Sequence, residues 1–286
     1  MAVEVRKVFL MDEQGNVIDC LLRSSFFNDL GGLGYDDNVT YMDYGDGFFS
    51  PVKRSSRQGS ISGIMSFLDR GTAYEDYRKL MNWVSAAENM REDRAIKLCY
   101  RPYGADTFMK EVLLTSISKG ELDVGGFLSC SVNFTSLTPW YAITSLTASS
   151  GTIGSVAGID YEIDMDCDLE GRFELVLSGY FASPKITLTD NLGNTIGTLD
   201  LQGQGVSVTT TGEAVVVSTL PGKIGVWFRN TGGVLTNLID KVNFVDGQEV
   251  FFLLPPRDKF TLSVRSTASS HTIVGDLNVY SYWKTR

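Results

Sequence analysis

The sequence predicts a mainly β protein: an N-terminal β-sandwich or barrel-like domain with one packed α-helix, followed by a second β-sandwich. Three observations predict it. Short apolar runs of period two recur along the chain, separated by Gly, Asn and Asp turn residues. One clear helical period occurs, over residues 72–87. A stretch rich in Ser, Thr, Ala and Gly at 145–158 then marks a boundary or exposed connector, and no helical period reappears beyond it. The expected domains are 1–141 and 142–286.

Composition narrows the class. The chain has 286 residues, 43% hydrophobic and 21% charged, which suits an ordered globular protein of two domains. No apolar run approaches the roughly 20 residues that cross a bilayer, so no membrane insertion is expected. Glu4, Arg6 and Lys7 interrupt the first apolar residues, unlike the core of a signal peptide. The expectation is a soluble product made in the cytoplasm. A net charge of −9 argues against a general nucleic-acid binder, which needs clustered Lys and Arg. Cys20, Cys99, Cys130 and Cys167 are scattered among apolar neighbours without a C-x-x-C, so buried free thiols are expected.

Taken in order, residues 3–11 alternate apolar and charged positions, 12–16 supply a turn around Gly15, and 17–22 return as a second strand. Gly31, Gly32 and Gly34 read as tight turns, because their spacing is not G-x-G-x-x-G and no strand-plus-helix frame surrounds them. Residues 38–50 place Tyr41, Tyr44, Phe48 and Phe49 among Asp43, Gly45, Asp46 and Gly47. This hairpin has two readings: a contact arm, since aromatics are enriched at interface centres, or a hairpin packed on its own domain. Lys53, Arg54 and Arg57 then form a basic cluster, read as a strand edge guarded by charge or as a ligand patch. Ser60–Phe67 alternates as a strand. Thr72 and Glu75 form a capping box, Asp76 favours the first turn, and Tyr74, Tyr77, Leu80, Met81, Val84 and Ala87 form an apolar stripe opposite Arg78, Lys79, Asn82 and Ser85. Strands follow at 95–100, 109–118 and 127–134, the last stopped by Thr138, Pro139 and Trp140.

Beyond the connector, strands are predicted at 161–169, 172–180, 185–190, 195–201, 214–218, 224–228, 250–254, 259–265 and 276–284, with turns at Gly193, Gly222 and Gly247. Many short strands without a helix indicate a sandwich.

Few groupings suggest chemistry. Glu162, Asp164, Asp166, Asp168 and Glu170 alternate with apolar residues, so one strand would carry all five carboxylates on one face. A wet acidic face and a Ca²⁺ site are both readings. An EF-hand is excluded because Leu169 and Leu175 stand where its Gly and late Glu belong. His271 is the only histidine, which excludes His-pair metal motifs. Gly59 to Gly63 reads G-S-I-S-G, not a nucleophile elbow, and no phosphate-binding P-loop occurs. Neither enzymatic activity nor a cofactor is expected.

The N-terminal half resembles the distal tail protein (Dit) family of long-tailed bacteriophages. The residues that carry this are the opening strand pair around Gly15, L-G-G-L-G-Y at 30–35, the strand Ser60–Phe67, the helix with Tyr74, Tyr77 and Trp83, the strand at 127–134, and T-P-W-Y at 138–141. The C-terminal half is similar to the galectin-like β-sandwich that many members append, through Ile239 and Asp240, the F-F-L-L-P-P run at 251–256, and a last strand near Tyr282 and Trp283.

The resemblance implies a virion structural protein at the phage tail tip, assembled as a homo-hexameric ring. Such a ring joins the tail tube protein to the tail-associated tip protein and to receptor-binding and baseplate proteins. DNA passes through its lumen without specific binding. Within this reading, Tyr41, Tyr44, Phe48 and Phe49 are the candidate oligomer interface. Galectin-like shape alone does not make a lectin: Trp227, Arg229 and Asn230 are candidate glycan contacts, with core or interface roles as the other reading. The rival function is a carbohydrate-binding or adhesion protein acting as a monomer on host cell-wall glycans.

Overall fold

A computed structural model describes residues 7–11, 17–19, 21–22, 25–31, 36–43, 49–57, 60–67, 74–75, 77–78, 81–82, 96–101, 107–119, 128–153, 156–244, 250–267 and 270–283, and over most of 17–67 it describes the backbone course and pairing. The chain is mainly β and divides into two compact units, Met1–Ala142 with Trp283–Arg286, and Ile143–Tyr282.

The first unit holds β1 (Lys7–Met11), β2 (Val17–Asp19), β3 (Leu21–Leu22), β4 (Ser25–Gly31), β5 (Asp36–Asp43), β6 (Phe49–Arg57), β7 (Ser60–Phe67), β8 (Ile96–Arg101), β9 (Phe108–Lys119) and β10 (Leu128–Ser136). Strand β11 (Trp140–Ser149) begins there. Neighbours run β9-β10-β7-β4-β3, while β8 pairs with β9 and β1, and β1 with β2. The alternation expected of β10 holds: Cys130, Val132 and Phe134 are buried, and Ser131, Asn133 and Thr135 are exposed. Its register on β9 shifts at Asn133/Phe134, a bulge. Proline at 139 ends β10, and the break is stitched to β9, where Leu137 N–H donates to Glu111 O at 2.8 Å and Thr138 Oγ1 accepts from Glu111 N–H at 3.0 Å. Strand β11 then starts against the same partner, with Tyr141 opposite Met109.

Tyr74, Glu75, Tyr77, Arg78, Met81 and Asn82 are helical. Glu75, Arg78 and Asn82 are exposed and Tyr77 and Met81 half-buried, as the stripe predicts. Tyr74 differs, being 45% exposed; a tyrosine tolerates this because its ring ends in a polar hydroxyl.

The second unit is a sandwich. It adds β12 (Gly151–Ile153), β13 (Val156–Asp164), β14 (Leu169–Ala182), β15 (Lys185–Asp190), β16 (Thr195–Asp200), β17 (Ser207–Val208), β18 (Ala214–Ser218), β19 (Gly225–Arg229), β20 (Leu235–Asn237), β21 (Lys259–Arg265) and β22 (Thr272–Trp283). One sheet runs β20-β19-β18-β14-β22-β11, and the other β12-β13-β21-β15-β16. Inward residues alternate along the long strands: Ile159, Tyr161 and Ile163 on β13 and Leu175 and Leu177 on β14 are buried.

Two stretches of this unit depart from what their composition predicts. Over its described residues, the 145–158 connector is the end of β11, β12 and the start of β13. Its hydroxyls are strand surface residues that bond across to β22: Ser145 Oγ donates to Asn278 Oδ1 at 2.7 Å, and Thr147 Oγ1 to Asp276 Oδ1 at 2.8 Å. Small polar residues on a solvated strand face look like a linker when read locally. Conversely, 250–254 is no strand. Phe252 and Leu254 are buried, but the segment makes a single bridge, Gly171 and Leu254 exchanging N–H···O bonds of 2.7 and 3.0 Å. Pro255 and Pro256 follow at once and donate no ladder bond.

Candidate interaction surfaces

Strands β5 and β6 form a two-stranded sheet of their own, pairing with no other strand among the described residues. Their register runs from Asp36 opposite Arg57 to Asp43 opposite Phe49, shifting between Thr40 and Tyr41 so that Val52 is the extra residue. Of the aromatic candidates, Tyr41 stands opposite Pro51 and Phe49 opposite Asp43, whereas Tyr44 and Phe48 lie outside the described residues. Lys53, Arg54 and Arg57 all belong to β6. Proline within β6 suits an edge strand, since it has no N–H for a second neighbour. An isolated two-stranded ribbon is marginal in water, so this element calls for a covering surface.

The acidic run is divided. Asp164 ends β13, Asp166 and Asp168 sit in the following turn, and Glu170 is the second residue of β14, so the five carboxylates do not share one strand face. The alternation of burial nonetheless continues through the turn, where Met165 and Cys167 are buried. Lys259 Nζ lies 2.8 Å from Asp164 Oδ2, Arg257 Nη2 3.2 Å from Asp168 Oδ1, and Arg265 Nη2 2.7 Å from Asp160 Oδ1. Asp164 in turn holds the Lys259 ammonium above its usual range. Among the described residues no group of three or more His, Cys, Asp or Glu side chains is placed to hold a metal ion.

Trp227 and Arg229 share one face of β19 and are half-buried, and Asn230 follows, exposed. The Trp227 ring lies over Gly225, where a Cβ would come within 2.7 Å of it. Asn230 Oδ1 accepts from the N–H of Gly232 (3.0 Å) and Val234 (2.9 Å), closing the turn to β20. That carboxamide oxygen is engaged in turn geometry.

The sequence did not foresee that His271 meets Ser266, five residues away. His271 Nδ1 hydrogen-bonds Ser266 Oγ, which donates to Ala182 O at 3.1 Å. Both contacts tie the serine hydroxyl to neighbours within the fold. Ser266 is 1% exposed, and its hydroxyl proton points at a carbonyl. This oxygen is not presented to a substrate.

Cys99, Cys130 and Cys167 are buried free thiols; Cys20 lies outside the described residues. Burial pushes the Cys99 thiol up to about 12 against the opposing pull of Lys97 and Arg101, and burial raises Cys167 as well. Such thiols are inert. Another group missed by sequence reasoning is Lys110, on the inward face of β9 and 3% exposed. Its ammonium lies 5.3 Å from the Trp140 ring centroid, and burial lowers its pKa to about 8. A lone lysine in an apolar alternation carries no local signal of this.

Residues 7–137 match the family described as distal tail protein, N-terminal domain. None of the curated proteins matches the chain in sequence. Among solved structures, the chain is similar to one from the phage P2 baseplate in its activated conformation with Ca, with TM-score 0.64 and 13% identity over 99% of this chain and 100% of that one. It is also similar to the SPP1 Dit (gp 19.1) protein, described as a paradigm of hub adsorption apparatus in Gram-positive infecting phages, with TM-score 0.56 and 12% identity over 95% and 98% of the two chains. At these identities the likeness is one of fold, and it spans both units.

Proposed function

We propose that this chain, whose residues 7–137 match the distal tail protein, N-terminal domain family, is a structural component of a phage tail tip or baseplate that closes into a hexameric ring. In this reading the ring joins the tail tube above to the tail-associated tip protein and receptor-binding proteins below, and DNA passes through its centre. The protein acts by assembly and not by catalysis. The second unit, read as a galectin-like sandwich, docks further baseplate proteins.

The observation that carries the reading is the β5–β6 ribbon, which joins no other sheet among the described residues. A head-to-tail interface that hides such an element in the adjacent copy is the kind that closes into a ring. The net charge of −9 supports a conduit that does not hold DNA.

Replacing Tyr44, Phe48 and Phe49 together by serine is expected to convert a multimer of about six chains into a folded monomer, measured by light scattering and electron microscopy. The expectation rests on aromatic anchors dominating interface energy. An intact ring in that variant removes the arm from the interface. A wild-type monomer retained on host cell wall replaces the ring with the glycan-binding reading.

A further inference from the structure

Among the strand edges that no described strand covers, two carry opposite charges. On β13 the odd-numbered residues bond towards β21: Met165 N–H donates to Asp258 O, and Ser266 N–H to Ala157 O, each at 2.9 Å, with Ile159 opposite Val264 and Ile163 opposite Phe260 between them. Antiparallel pairing alternates, so the backbone N–H and C=O of Asp160, Glu162 and Asp164 point to the other edge. Strand β12 covers that edge only as far as Gly158, opposite Gly151. From Ile159 onward no strand pairs there among the described residues. The second edge is that of β6 away from β5, and its sequence supplies Lys53, Ser55 and Arg57 at alternate positions, hence on one face.

Each edge rejects a second copy of itself. Two β13 edges would set carboxylates opposite one another, and two β6 edges would do so with cations; like charges directly opposite destabilise a strand pair. Each accepts the other. We propose that the β6 edge of one copy adds antiparallel to the open β13 edge of the next, with Arg57 opposite Asp160, Ser55 opposite Glu162, and Lys53 opposite Asp164. Asp160 already holds Arg265 and Asp164 holds Lys259, so the incoming cations leave both carboxylates between two positive charges. The pairing satisfies backbone groups on both strands and gives the ribbon a third strand. Because the two surfaces differ, the contact is head-to-tail and propagates around a ring instead of stopping at a two-fold dimer. This pairing rests on the arm reading above and names the surface that the arm meets.

The test uses the full chain with Ser55→Cys and Glu162→Cys, alone and combined, under mild oxidation. Directly opposed residues in an antiparallel pair lie about 4.5 to 5.5 Å apart at Cα, within reach of a disulfide. The combined variant is expected to give a reducible ladder of covalent oligomers absent from both single variants. In parallel, Glu162→Lys is expected to weaken assembly about tenfold at low salt, with Ser55→Glu restoring it, since opposed charges set register and partner choice. An intact multimer with no disulfide beyond the single variants overturns the pairing and leaves the ring. A wild-type monomer at micromolar concentration overturns both.

Discussion

Gly275→Ala is expected to destabilise the second unit by about 3 kcal/mol, the scale of a core clash that cannot relax. Gly275 occupies an inward position of β22, between the fully buried Ile273 and Leu277. From the opposite sheet, Tyr161 and Ile159 of β13 fill the space its missing side chain leaves. A Cβ there would fall on the Tyr161 hydroxyl and within 2.6 Å of Ile159 Cδ1. Tyr161 is 3% exposed, and its hydroxyl has no hydrogen-bond partner among the described residues. Burial first, and Asp276 second, hold that phenol well above its ordinary pKa. Deleting an unpartnered buried hydroxyl removes a desolvation penalty, so Tyr161→Phe alone is expected to be neutral or stabilising by up to about 1 kcal/mol. In the double variant the phenyl ring is shorter where the alanine methyl arrives, and about half of the loss should return as a coupling energy. Urea unfolding of the four proteins measures the cycle. Strict additivity would mean that the hydroxyl and Gly275 do not compete for the same space.

Lys110→Met is expected to stabilise the first unit at pH 7 by about 2 kcal/mol. The lysine is held inward on β9 between Phe108 and Val112, and its one described interaction is with the Trp140 ring. A fall from 10.5 to about 8 corresponds to about 3 kcal/mol spent on burying the charge, of which the cation–π contact returns about 1 kcal/mol. The sign follows from linkage. The folded pKa lies below the unfolded one, so between about 8 and 10.5 the unfolded chain binds more protons and stability rises with pH. Below about 8 the penalty is present in full. The advantage of methionine should therefore shrink as pH climbs through that window, in paired urea titrations at pH 7 and pH 10. A constant difference would mean that folding leaves the amine's pKa unshifted, so that burial does not penalise its charge.

Much of the fold was legible because alternation is local. The predicted strands at 185–190, 214–218 and 259–265 coincide with β15, β18 and β21; on β15 and β21 apolar residues face inward at every second position, and β18 is a short Val-rich run between turn residues. The helix was legible for the same reason at a period of 3.6. The errors fell where composition and pairing disagree. The Ser- and Thr-rich stretch at 145–158 is mostly strand among its described residues because partners in β22 and β13 accept it, and the apolar 250–254 is not, because prolines deny it a ladder. The candidate surfaces divide in the same way. The aromatic and basic composition of 38–57 was visible in the letters. The facts that β5 and β6 stand apart as a ribbon and that β13 keeps an open edge were not.

By itself the sequence determined the class of the protein, its family likeness, and the inward or outward face of most strand residues, because each of these follows from neighbours one or two positions away. Only the tertiary structure decided which strands pair and which edges stay open, that Tyr161 meets Gly275 across 114 positions of numbering (275 minus 161), and that Lys110 is enclosed beside Trp140. Those outcomes depend on contacts distant in sequence, set by register and packing, and no local period encodes them.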